Sequence, residues 1–177
     1  MNRRKLLRSS TVLLAAAPLA GCSGRLKTFT TWQQARQAVL DLLFHNKVVQ
    51  GNAWSLSQVL QHLAQSIEFS MQGYPSLKGV WFRSTLGSAA FGVFDAQGEM
   101  RHDLAEPIPG APALEASQPL KASVNRLLAA MDAFAEFGGP LRPHFAYGEL
   151  TKRQYERAHL MHLGNHWTQF HARVAQA

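Results

Sequence analysis

The sequence predicts an all-α fold, a four-helix bundle with a long loop-rich connection between helices two and three. Three observations predict it. Apolar residues recur at helical spacing in four stretches, and three of these open on a hydroxyl residue followed three positions later by glutamine. The interval 73–117, by contrast, is broken repeatedly by glycine and proline. Four helices of roughly 16 to 23 residues make a bundle. A chain of 177 residues, 46% of them hydrophobic, is one domain's worth and can bury a sizeable core.

Helix one opens on Thr31-x-x-Gln34, a capping box in which a hydroxyl satisfies orphan N–H groups. Trp32, Ala35, Val39, Leu42 and Leu43 then carry it to about Asn46. Helix two opens on Ser55-x-x-Gln58, with Trp54 placed to pack on Val59 as a hydrophobic staple. Its stripe is Leu56, Val59, Leu60, Leu63, Ile67 and Ser70, and it ends near Gly73. In the connection that follows, Leu86 to Phe94 suits a short helix and Gly79 to Arg83 a strand-like edge, and the sequence does not decide between the two. The length of this connection lets helices two and three run parallel. Helix three carries Leu120, Val124, Leu127, Leu128, Met131 and Phe134 and stops at Gly138-Gly139-Pro140. Helix four opens on Thr151-x-x-Gln154 and is expected to reach about Arg173.

The charge is uneven. The net charge is +7, yet residues 1–21 contain Arg3, Arg4, Lys5 and Arg8 and no acid. The remainder carries 14 basic against 11 acidic residues, so the basic excess lies in a leader and no nucleic-acid partner is expected. One cysteine excludes a disulfide framework, a thiolate zinc site and a Cys-x-x-Cys redox pair. No apolar stretch reaches the roughly 20 residues of a spanning helix.

Residues 1–21 have the cationic start, short apolar run and small residues of a signal peptide. Leu19-Ala20-Gly21-Cys22 resembles the lipobox of bacterial lipoproteins, which implies lipidation at Cys22. The alternative is an ordinary cleaved signal that leaves Cys22 as a free thiol. Arg3-Arg4 resembles a twin-arginine export signal, although Asn2 and Leu6 depart from its usual Ser/Thr and Phe. Ser23, not Asp, follows the cysteine. The resemblance therefore implies a periplasm-facing lipoprotein of the cell envelope, held on the outer membrane by its anchor.

Histidines carry the chemistry. His159, His162, His166 and His171 fall within thirteen residues of helix four. At about 100° per residue, Tyr155, His159, His162, Leu163, His166 and Phe170 share the face that meets the core. Imidazoles on an inward stripe are costly unless each polar nitrogen finds a partner, and a shared cation is one solution. His162 and His166, at i and i+4, can ligate one ion, and His62 on helix two lies beside the apolar stripe where it can reach the same seam. Three neutral imidazoles hold Zn²⁺, Fe²⁺ or Ni²⁺ and leave coordination positions open. The competing reading is hydrogen-bonded scaffolding.

His62 followed by His162-x-x-x-His166 resembles the DinB-like (YfiT-like) metalloenzyme superfamily over about residues 28–173. Trp54-Ser-Leu-Ser-Gln-Val-Leu-Gln-His62, Pro107-Ile-Pro-Gly-Ala-Pro112, Pro143-His144-Phe-Ala-Tyr-Gly148 and His166-Trp-Thr-Gln-Phe170 resemble an uncharacterised branch of it. The resemblance implies a four-helix bundle with a divalent metal ion on His62, His162 and His166. It further implies hydrolase chemistry, or transferase chemistry with a thiol co-substrate, on an unknown small molecule. Where that branch carries a histidine, this chain has Asn165.

His159 is an alternate ligand or a hydrogen-bonding neighbour. His144, in the loop entering helix four, either orients a water at the metal or is a solvated loop residue. Tyr155 and Gln58 lie one turn from the proposed ligands, where core packing and capping also account for them. Pro107 to Pro112 form a pocket rim or a stiff linker. His45, His102 and His171 are expected to face solvent, and no acid is evident to receive the second ring N–H of His162 or His166.

Two rivals stand beside this. A di-iron carboxylate bundle needs two Glu-x-x-His pairs, whereas Glu156-x-x-His159 fits once and Glu99-x-x-His102 lies in the loop-rich middle. A non-catalytic, lipid-anchored binding or scaffold protein would instead seal its histidine cluster from any pocket. Covalent haem, a phosphate-binding glycine loop and a G-x-S-x-G nucleophile are absent from the sequence.

Overall fold

The computed structural model describes residues 23–45, 47–49 and 54–172. The leader 1–21 and Cys22 lie outside the described residues. The fold is all-α, with helices α1 (Trp32–Asp41), α2 (Leu56–Gln72), α4 (Ser88–Gln97), α5 (Leu120–Glu136) and α6 (Lys152–Trp167). A helical turn, α3 (Val80–Phe82), and a π-turn, Arg83–Gly87, lead into α4. Two three-residue strands, β1 (Lys47–Val49) and β2 (Phe170–Ala172), pair antiparallel, Val49 opposite Phe170. No helix among the described residues is long and apolar enough to cross a membrane.

The capping residues work as their chemistry requires. Ser55 and Thr151 each accept from the backbone N–H three residues on, and Gln58 and Gln154 reach back to complete the box. Thr31 accepts from Gln34 N, but the Gln34 side chain receives Thr30 N instead, one residue further out. Trp54, half-buried, lies against His62 with ring centroids 5.0 Å apart.

The apolar stripes meet as expected. Val59, Leu60, Leu63 and Ile67 of α2 are buried with Val39 of α1, with Val124, Leu127, Met131 and Phe134 of α5, and with Tyr155 and Leu163 of α6. Each such side chain contributes about 1.5–3 kcal/mol relative to exposure. Trp32 tilts onto Phe134 at 5.3 Å and donates to Met131 O, joining α1 to α5. Ser57 near the start of α2 bonds Ser123 near the start of α5, while Ser70 O near the end of α2 receives Arg142 N beyond the end of α5. The two helices therefore run in the same sense.

Three boundaries differ from the sequence reading. Residues 80–97 are helical throughout, so the strand-like alternative for Gly79 to Arg83 is overturned. A strand there would need an edge to pair with, whereas the helical turn satisfies its backbone locally, Arg83 N donating to Gly79 O at 3.0 Å. Helix α1 stops at Asp41 and α6 at Trp167, short of Asn46 and Arg173. The residues past those ends enter the β1–β2 pair, which takes Phe170 out of the helix.

Candidate metal centre

His62 comes from the middle of α2, and His162 and His166 come from successive turns of α6. The shared helical face predicted for α6 is real: Tyr155, His159, Leu163 and His166 are buried and His162 is half-buried. One ring nitrogen from each of His62, His162 and His166 lies within 4.8 Å of the others, the one such group among the described residues. The Nε2 atoms of His62 and His162 are 3.2 Å apart. Two nitrogens bound tetrahedrally to one ion at about 2.0–2.1 Å stand about 3.3 Å from each other, so the spacing suits a shared cation.

The hydrogen bonding points the same way. Nε2 of His166 is buried with no partner among the described residues, while its Nδ1 lies 3.1 Å from the side-chain amide of Gln169. Nδ1 of His62 is likewise buried without a partner among the described residues. An orphaned buried ring nitrogen is costly, and the two found here, Nδ1 of His62 and Nε2 of His166, belong to rings that each bring one nitrogen to the three-histidine group, a donor set for a divalent ion. Burial holds all three rings neutral, the form that ligates. It pushes His62 down to about 4 and His166 to about 2, with His162 well below its ordinary value.

A cavity of about 230 Å³ opens beside the cluster, and His62 and His162 line it. His102 and Ile108 form part of its wall from the middle segment, and Lys78 and Tyr147 line it as well. Pro107 also lines it, which makes the start of the Pro107–Pro112 segment a rim.

His159 is buried but stands outside the three-nitrogen group. Its Nε2 is 3.3 Å from Ser70 Oγ, which itself donates to Ile67 O, so the imidazole is the donor. It stacks on Tyr155 at 5.4 Å and meets Phe134 edge-on at 5.1 Å. Tyr155 itself donates to Arg142 O at 2.6 Å.

His144 is not a solvated loop residue. It is buried and stacks on Tyr147 with centroids 4.2 Å apart and planes 7° from parallel. Its Nδ1 accepts from the backbone N–H groups of Ala146 and Tyr147, so its proton sits on Nε2. It also lines the cavity, where Nε2–H is the one ring donor left for a bound molecule. The loop that holds it closes through His144 N to Gly148 O and packs on Gly87, where a Cβ would stand 1.8 Å from Ala146 O. Only glycine permits that approach.

His45 faces solvent as expected, but His102 does not. Its ring centroid is 4.9 Å from that of His162 and 5.4 Å from that of His166. The expected exposure of the His171 side chain falls outside what the structure describes. Two participants were thus invisible to periodicity, His102 because it lies on a loop and Gln169 because it lies just past the end of α6. The i, i+3 spacing of His166 and Gln169 was the available signal for the second.

Comparison with known proteins adds one result. A family model described as a protein of unknown function (DUF1569) matches residues 24–173. The chain belongs to that family. No curated protein and no solved structure matches it. The match covers the whole of the helical domain, including all three histidines of the group and His102, His144 and His159.

Proposed function

We propose that this DUF1569 chain is a divalent-metal-binding protein of the DinB-like type. Its cavity would admit a small molecule to a metal ion for hydrolytic or thiol-dependent transfer chemistry. The observation that carries the reading is the convergence of His62, His162 and His166 on one point beside an open cavity. A sealed cluster would favour a purely structural site; two of these three histidines line a space large enough for a small substrate.

His62, His162 and His166 would hold Zn²⁺, Fe²⁺ or Ni²⁺, which supplies Lewis acidity to an oxygen or sulfur brought to its open positions. The chain's own residues divide the remaining work. Gln169 orients His166, and the Trp54 ring covers His62. His144, its proton fixed on Nε2, offers a neutral donor to a substrate oxygen, and Lys78 adds positive charge at the same cavity. The leader supports export and lipidation at Cys22, giving an envelope protein facing the periplasm; mass spectrometry of the mature N-terminus tests that part.

Metal analysis of the purified domain tests the site. The parent should carry about one divalent ion per chain, and His62→Ala and His166→Ala should lose it. Full metal content in both variants would remove the reading.

A further inference from the structure

We propose that His102 is a fourth nitrogen ligand, delivered by the segment that walls the cavity. The inference rests on the metal reading above and extends it to a residue outside the three-histidine set. The ring geometry carries it. His62 sits 5.0 Å from His162 and 5.1 Å from His166, ring centre to ring centre. His102 sits 4.9 and 5.4 Å from the same two rings. The pair on α6 is thus flanked by two imidazoles at matching distances, one from α2 and one from the loop.

The hydrogen bonds of His102 are those of a ligand. Its Nδ1 lies 2.8 Å from Asp103 O, and a carbonyl only accepts, so the proton is on Nδ1 and Nε2 keeps its lone pair. Ligating histidines characteristically give their other N–H to such a carbonyl, which fixes the tautomer and the ring plane. Asn165, between His162 and His166 on α6, holds the loop in place. With its amide turned to satisfy both sides, it donates to Met100 O at 3.2 Å and accepts from His102 N at 3.3 Å.

In that orientation the Asn165 oxygen also lies 3.3 Å from His102 Nε2, so the same amide that holds the loop stands beside the nitrogen a cation would take. The nitrogens within 4.8 Å of one another are those of His62, His162 and His166, so coordination draws residues 102 and 103 inward together. Because Met100, His102 and Pro107 line the cavity, cation loading would set the position of its wall. A loop ligand is also the one a substrate atom displaces most readily.

The test uses Co²⁺ loaded into the parent domain and into His102→Ala, His102→Cys and His62→Ala. The parent should show ligand-field bands that shift in His102→Ala, with affinity about tenfold or more weaker by chelator competition. His102→Cys should add a near-ultraviolet thiolate-to-cobalt charge-transfer band, which a merely structural position would not give. His62→Ala should lose the ion. If the parent binds no Co²⁺, the metal reading falls and this proposal with it. If the parent and His102→Ala share one spectrum and one affinity, and His102→Cys shows no charge-transfer band, the proposal alone is overturned.

Discussion

The side-chain amide of Gln169 lies 3.1 Å from Nδ1 of His166, and both residues are buried. An imidazole that gives Nε2 to a cation carries its proton on Nδ1, so the amide must then present its oxygen. A half-turn about the last side-chain bond supplies it without moving the backbone. Gln169→Leu removes that acceptor and should weaken metal binding by roughly 10- to 100-fold, read by chelator competition. Gln169→Glu, which keeps an oxygen there, should restore much of the loss. Equal affinities in the parent and the leucine variant would show that Gln169 does not support the site.

Gly87 gives a stability prediction. A Cβ there meets Ala146 O at 1.8 Å, and the atom it meets is backbone, so the 143–148 loop must move. Gly87→Ala should destabilise the domain by about 1–3 kcal/mol in denaturant unfolding. The same shift displaces His144 from the cavity wall. An unchanged unfolding midpoint would mean that the loop does not rest on Gly87.

The buried imidazole of His159 makes stability depend on pH. Burial pushes it down to about 3 in the folded chain, against about 6.5 when unfolded. The unfolded state takes up the proton first as pH falls, so the contribution is complete above about pH 6.5 and is lost progressively toward pH 3. The Ser70 bond lets glutamine replace it as a donor. The stability gap between the metal-free parent and His159→Gln should therefore narrow by about 1.4 kcal/mol per pH unit between pH 6 and 4. A gap that stays constant with pH would place His159 in a solvated setting.

The ion pair of Arg157 with Asp95 fastens α6 to α4 and to the start of the domain. Arg157 also donates to Gly24 O at 2.7 Å and to Asp95 O at 2.9 Å, and both side chains are largely buried. Arg157→Met leaves the carboxylate of Asp95 with only the Ser23 hydroxyl as a side-chain partner and should destabilise by about 2–4 kcal/mol. Adding Asp95→Asn should recover part of that loss, a coupling readable in a double-mutant cycle.

What the sequence made legible follows from periodicity. The stripes of α2, α5 and α6 gave the core and put His62, His162 and His166 on facing surfaces, because helical spacing fixes which side chains share a face. His102 was misjudged and His144 left open because loop residues have no period; their burial depends on contacts such as Asn165 to His102 and Gly87 to Ala146. The middle segment was ambiguous because Val80 to Phe94 mixes β-branched and aromatic residues with glycines, and local propensity does not choose between helix and strand there. The early end of α6 was hidden because Phe170 continues the apolar face by spacing, although its backbone pairs with Val49.

Anomalous diffraction from crystals of the metal-loaded domain tests the central claim most directly. The account predicts a single ion about 2.0–2.3 Å from a ring nitrogen of each of His62, His162 and His166. An ion bound elsewhere, or density showing those three rings bonded only to protein or water in metal-saturated crystals, would contradict it.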